Sequence, residues 1–151
     1  MQTFTDGKKV WSLRWTVGVI REARSVWYYR GDTKHRLNPG LPEEWIGNLF
    51  ADAELLADLV WLAAIKQHPG ASKDEIDDAL YGEVIEAARE ALIDEIVNFS
   101  QDRTGRGKML KAIAEEVKAK MAEVIEAATD NLTQSESVTS GVENSELMAV
   151  S

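Results

Sequence analysis

A row of four carboxylates in the second half of the chain has the spacing of a metal-binding helix face. Glu83, Glu86, Glu90 and Asp94 recur every three or four residues, which would place their side chains on one side of an α-helix. Carboxylate oxygens arranged in this way can bind hard cations such as Mg²⁺. A solvated acidic face is the alternative interpretation, and it is favoured because Arg89 interrupts the row. We therefore expect no metal site here.

The hexapeptide Glu-Val-Ile-Glu-Ala-Ala occurs twice, as Glu83 to Ala88 and as Glu123 to Ala128. The residues that flank the two copies differ, so no longer structural repeat is present. In both copies the Val, the Ile and the second Ala fall on an apolar helix stripe, while both Glu residues face solvent. Two ordinary helix turns with the same pattern explain the coincidence.

The remaining reactive residue types form no catalytic constellation. His35 and His68 are the only histidines and the chain has no cysteine, which excludes disulfides and thiolate metal ligands. Neither histidine has a Ser or carboxylate partner at an informative spacing. The segment from Asp102 to Lys108 resembles a phosphate-binding loop only loosely, since it lacks the Gly-x4-Gly-Lys-Ser/Thr pattern. We expect a protein that is not an enzyme and uses no cofactor.

Aromatic and arginine side chains crowd the first third of the chain. The group comprises Trp11, Trp15, Trp27, Tyr28 and Tyr29, with Arg14, Arg21, Arg24 and Arg30 between them. Such side chains can stack on single-stranded nucleic acid, pack a core, or form a protein interface. A net charge of -9 disfavours nucleic acid, and core packing is the favoured interpretation. A protein-binding surface of Trp11, Trp15, Arg21 and Arg24 is the next alternative.

The charge is distributed unevenly along the sequence. Residues 1–36 carry eight Lys or Arg against three Asp or Glu, a net charge of +5. Residues 37–104 carry four against fifteen, a net charge of -11. This separation favours self-association or internal pairing of the two regions.

The elements that would position these residues are mostly helices. Thr3 to Thr5 and Val10 to Trp15 predict a β-hairpin around the turn Asp6-Gly7. Thr16 would then cap a helix from Val17 to about Tyr29, followed by a polar loop over residues 31–42. Further helices are predicted over residues 43–50, 52–67, 73–80 and 83–99, with Asp52 and Ser72 at the starts of the second and third.

A last helix is predicted over residues 108–128, after a hinge over residues 101–107 that contains two glycines. Its apolar residues form a narrow seam of Leu110, Ile113, Val117, Met121, Val124 and Ala128. A seam of this width either packs on the body of the protein or binds a partner helix, and the sequence leaves both alternatives open. Residues 129–151 have the polar, acidic composition of a disordered tail.

These patterns predict a mainly α fold with an N-terminal β-hairpin and four to five helices. The expected organisation is a core domain over 1–104, a hinged C-terminal helix over 105–128 and the tail over 129–151. The N-terminus lacks the pattern of a signal peptide, and the longest apolar run, Leu59 to Ile65, is too short for a membrane span. We expect a cytosolic protein that binds neither membranes nor nucleic acid.

The order of these elements resembles a known family. A hairpin with an Asp-Gly turn runs into a helix in TFTDGKKVWSLRWTVGVIREAR. A central apolar helix, a short acidic helix closing at Gly82 and a long Ala/Glu-rich helix follow in LLADLVWLAAIKQHPGASKDEIDDALYGEVIEAAREALIDEIVNF. Together, over residues 3–99, they are similar to the tail assembly chaperones of long-tailed bacteriophages.

The resemblance implies a protein that binds the tape measure protein or tail tube subunits during assembly, in the host cytoplasm, and is absent from the mature virion. The expected partner contacts are Leu110, Ile113, Val117, Met121 and Val124, with Trp11, Trp15, Arg21 and Arg24 as the second choice. Two alternatives are a structural protein of the virion tail and an all-α, Mg²⁺-dependent nucleotide pyrophosphatase that uses the carboxylate row.

Overall fold

A computed structural model of the chain describes residues 1–150, with the side chains described over residues 1–130. The chain divides into two compact units, Met1–Val117 and Lys118–Ser151. The elements follow in this order: strands β1 (Gln2–Thr5) and β2 (Val10–Leu13), helix α1 (Val17–Ala23), strands β3 (Trp27–Arg30) and β4 (Thr33–Arg36), 3-10 turns at Pro42–Glu44 and Ile46–Phe50, helix α2 (Ala53–Ala64), a 3-10 turn at Ile65–Gln67, and helices α3 (Lys73–Ala79), α4 (Gly82–Thr104) and α5 (Gly107–Val150).

The predicted fold class is confirmed, because the structure has five α-helices and an N-terminal hairpin. Strands β1 and β2 pair antiparallel with Phe4 opposite Trp11. The Asp6 carboxylate holds the turn between them, accepting hydrogen bonds from the backbone N–H groups of Lys8 and Lys9 at 2.8 Å. Strand β1 lies against α4, and β2 lies against α2. The hairpin is therefore built into the helical core.

The predicted helix from Val17 to Tyr29 is wrong in its second half. Helix α1 ends at Ala23, and a second antiparallel hairpin follows, with Trp27 opposite Arg36. Its turn contains Gly31 at a φ of 60°, a left-handed conformation that glycine adopts without strain. Aromatic residues favour strands over helices, and Leu37 N–H donates to Val26 O at 2.9 Å. Part of the predicted polar loop is consequently strand β4.

Three predicted helix starts are confirmed by their side-chain caps. Thr16, Asp52 and Ser72 each accept a hydrogen bond from the backbone N–H three residues further on, in α1, α2 and α3. These bonds satisfy donors that the first helical turn leaves without a partner. The short helix predicted over 43–50 is instead the pair of 3-10 turns before α2.

The core of the first unit is formed where α2 and α4 meet the first hairpin. Leu56, Leu59 and Val60 of α2 are fully buried, as is Leu92 of α4. Trp15 N–H donates to the buried carboxylate of Glu95 at 2.9 Å, so the chain after β2 is tied to α4 by a charged acceptor.

The predicted hinge over 101–107 is largely helical. Helix α4 continues to Thr104, and Gly105 ends it in a left-handed conformation with a φ of 70°. Helix α5 begins two residues later. Gly107 packs so closely on α4 that an added Cβ would lie 2.7 Å from Val97 O. The segment is a close-packed turn between two helices.

The second unit consists of helix α5 from Lys118 onward. The predicted disordered tail covers residues 129–151. Because side chains are described only over residues 1–130, this tail stays a prediction. None of the helices in the described residues is long and apolar enough to cross a membrane.

Candidate protein-binding surfaces

The carboxylate row lies on the outer face of α4. Glu83, Glu86 and Glu90 are exposed, and Asp94 is half-buried. Burial and the neighbouring Glu90 carboxylate raise the pKa of Asp94 above its ordinary value. Over the residues with described side chains, no group of three or more His, Asp or Glu side chains is arranged to hold a metal ion. Within this part of the chain, the row has the geometry of a solvated helix face.

Arg89 reaches from the carboxylate row to the turn before α2. Its Nε donates to Leu49 O at 2.9 Å, and its guanidinium lies 5.2 Å from the centre of the Phe50 ring. This arginine therefore fastens α4 to the turn before α2, and its contacts are those of a structural residue.

Two of the proposed partner contacts are core residues. Trp11 and Trp15 are only 1% and 3% exposed, so the expectation that they form an accessible surface is wrong. The Trp11 indole N–H donates to Asp6 at 3.2 Å, and the Trp15 ring lies 6.1 Å from that of Trp45. Strand β2 turns the Trp11 ring inward, as alternation in a strand requires, and Trp15 lies two residues beyond the end of β2. Arg21 and Arg24 are exposed on and just after α1.

Two exposed aromatic residues lie on the second hairpin. Trp27 and Tyr29 are 46% and 51% exposed, while Tyr28 between them is buried. The ammonium of Lys34 and the guanidinium of Arg36 lie 5.4 and 5.3 Å from the centre of the Trp27 ring. Sequence reasoning missed this face because it assigned Trp27 to a helix. The turn dipeptide Gly31-Asp32, soon after the β-prone residues Trp27, Tyr28 and Tyr29, was the available signal.

A groove of about 410 Å³ separates this hairpin from the helices. Trp27, Tyr29 and Lys34 line it on the hairpin side, and Glu54, Asp58 and Trp61 line it on the α2 side. Lys73 of α3 closes it with a salt bridge to Asp58 at 2.8 Å.

The seam of α5 divides into a buried part and an exposed part. Leu110 is only 1% exposed, so the expectation that it offers an accessible partner contact is wrong, while Ile113 is partly buried against the core. Val117 lies against Gly47, with its Cγ2 3.0 Å from the position of an added Cβ. In the second unit Met121 is partly exposed, and Val124 is 62% exposed. The first half of the seam is therefore core, and its continuation is accessible.

Both histidines have structural surroundings. His68 Nε2 accepts a hydrogen bond from Ser12 N–H at 2.8 Å, and its ring meets the edge of Trp11 at 5.0 Å between centroids. The His35 ring lies 6.2 Å from that of Tyr28. The first set of contacts ties β2 to the segment after α2, and the second lies within the second hairpin.

Comparisons with models of known protein families, with curated proteins and with solved structures gave no match.

Proposed function

We propose that this chain is a tail assembly chaperone of a long-tailed bacteriophage. It binds the tape measure protein or tail tube subunits through one face of helix α5, acts in the host cytoplasm and is not an enzyme. The resemblance of residues 3–99 to that family supports the proposal, together with an exposed apolar seam that suits a helical partner.

The observation that carries the proposal is the exposure of the part of the α5 seam that follows Val117. Val124 and Ile125 are each 62% exposed and lie on one side of α5 with Met121. Exposed apolar residues at helical spacing are the anchors by which amphipathic helices bind other helices. The tape measure protein is expected to be long and helical, so it offers a matching surface along its length.

The proposal is tested by substituting the seam and the opposite face of the same helix. Val124→Asp puts a charge on the apolar face, and Ala119→Asp puts the same charge on the far face. Both positions are exposed, so we expect each change to alter the free energy of unfolding by no more than about 0.5 kcal/mol.

Tagged forms of the full chain would be captured from phage-infected cells, and their partners would be identified by mass spectrometry. The original chain and Ala119→Asp should each retain the tape measure protein or a tail tube subunit. Val124→Asp should reduce that recovery about tenfold. Recovery of neither partner by the original chain, or equal recovery by both variants, would contradict the proposal. Detection of the chain in purified virions would favour a structural tail protein instead.

A further inference from the structure

The groove beside the second hairpin has two walls of opposite charge. The hairpin wall presents Lys34 next to the exposed rings of Trp27 and Tyr29, and Arg36 lies beside the groove over the Trp27 ring. Among the described residues, neither cation has a carboxylate within salt-bridge distance. This wall therefore combines a net positive charge with exposed aromatic surface.

The helix wall presents carboxylates. A neighbouring depression of about 390 Å³ shares Glu54, Asp58 and Lys73 with the groove and adds Asp77. Lys73 forms a salt bridge with Asp58 and also interacts electrostatically with Asp77. Glu54 and Asp77 are exposed, and neither forms a salt bridge within the described part of the chain. Glu54 in the groove and Asp77 in the neighbouring depression therefore give the helix side two carboxylates, opposite in sign to Lys34 and Arg36.

Opposite charges on adjacent walls make the surface complementary to itself. In a two-fold symmetric dimer, a residue that contacts a second residue on the partner copy receives the reciprocal contact from it. A two-fold axis through the groove would set each hairpin wall against the helix wall of the other copy. It would also cover the rings of Trp27 and Tyr29, residue types that dominate the energetics of protein interfaces.

We propose that this groove is the interface of a symmetric dimer formed by two copies of this chain. The hairpin cations Lys34 and Arg36 of one copy face Glu54 and Asp77 of the other. The exposed aromatic rings and Trp61 form the apolar centre between them. This inference is independent of the tail assembly role.

A second copy fits the groove better than a polyanion does. A nucleic acid or a uniformly acidic peptide would be attracted by Lys34 and Arg36. The carboxylates on the opposite wall would repel it. The net charge of -9 adds a long-range repulsion of phosphate backbones. A partner with both charges in the reverse order satisfies both walls, and a symmetry-related copy of this chain supplies that order.

The test is a pair of charge reversals measured by sedimentation velocity on the full chain. One variant carries Lys34→Glu with Arg36→Glu, and the other carries Glu54→Lys with Asp77→Lys. All four positions are exposed, so thermal unfolding should be unchanged. Arg14→Glu with Lys108→Glu is the matched control, because it makes the same change in charge on exposed residues that line neither the groove nor the neighbouring depression.

We expect the original chain and the control to dimerise with a Kd below about 0.1 mM. Each groove variant alone should dimerise about 100-fold more weakly, because like charges then face each other at both ends of the interface. An equimolar mixture of the two groove variants should restore the dimer, since every opposed pair again has opposite signs.

Three results would overturn the proposal. A monomeric original chain at all concentrations up to about 0.2 mM would show that the groove has no second copy as its occupant. A dimer that both groove variants retain would place the interface elsewhere. Failure of the mixture to dimerise would show that the two walls do not face each other. If the monomer bound a fluorescent oligothymidylate or a poly-glutamate peptide, the groove would belong to that class of ligand instead.

Discussion

At the scale of single residues, His68 joins two distant parts of the first unit. Its Nε2 can accept the hydrogen bond from Ser12 N–H only while that nitrogen carries no proton. Burial lowers the pKa of His68 below its ordinary value, and the positive charge of Lys9 lowers it further. The folded protein therefore favours the neutral imidazole.

The free energy of unfolding should consequently depend on pH through His68. In the unfolded chain the imidazole takes up a proton near pH 6.5, whereas in the folded chain it does so at a lower pH. The unfolded state thus binds more protons between these two values. We expect this contribution to stability to be complete above about pH 6.5 and to be lost as the pH falls through the folded-state pKa.

Urea unfolding at a series of pH values between about 5 and 8 would measure the effect. His68→Gln keeps a polar side chain but cannot titrate, and His35 is present in both proteins. The difference between the two pH profiles therefore reports His68 alone. Profiles with the same slope in both proteins would contradict the assignment.

At the scale of elements, the turn between α4 and α5 depends on a close approach of the two helices. An added Cβ at Gly107 would lie 2.7 Å from the backbone oxygen of Val97 and 2.6 Å from Cβ of Gln101. Both distances are shorter than van der Waals contact. A side chain at this position would force α5 away from α4.

Gly107→Ala should therefore lower the free energy of unfolding by about 1–3 kcal/mol, the usual cost of overpacking. Gly40→Ala is the matched control, because the nearest atom to its added Cβ would be Asn38 Oδ1 at 3.5 Å. That change should stay within about 0.5 kcal/mol. Urea unfolding would measure the free energy of unfolding of both variants. Equal values would contradict the prediction, because they would mean that α5 can move away from α4 without a loss of stability.

At the scale of the whole molecule, the first unit contains a core of its own. Leu110 and Ala114, the last core residues along the described chain, are 1% and 4% exposed. The first unit extends to Val117, so it includes the opening turns of α5. A domain boundary at the turn before α5 would separate Leu110 and Ala114 from the rest of this core.

Two truncations test this division. A chain ending at residue 117 keeps every buried apolar side chain of the described residues, and its free energy of unfolding should stay within about 1 kcal/mol of the full chain. A chain ending at residue 105 loses Leu110 and Ala114 and should be destabilised by at least about 3 kcal/mol. Urea unfolding would compare them. Equal stability of the two would show that α5 contributes nothing to the core.

Much of the helical framework was predictable because its signals are local. Thr16, Asp52 and Ser72 each bond to a backbone N–H three residues away, so the few residues around a cap suffice to recognise it. The apolar run of α2 predicted a central helix for the same reason. The second hairpin was missed because the apolar residues after Thr16 also fit a helical period, and the turn at Gly31 went unrecognised as the start of a strand pair.

The sequence by itself determined the class of fold, the helix starts and the Asp6-Gly7 hairpin, since these depend on neighbours within one or two turns. Only the tertiary structure decided which aromatic rings are buried and which are exposed. Trp15 is buried where its backbone N–H donates to Glu95, eighty residues further along the chain, whereas Trp27 lines an open groove and stays exposed. Burial of that kind depends on contacts between distant segments, and a local pattern of residue types does not encode it.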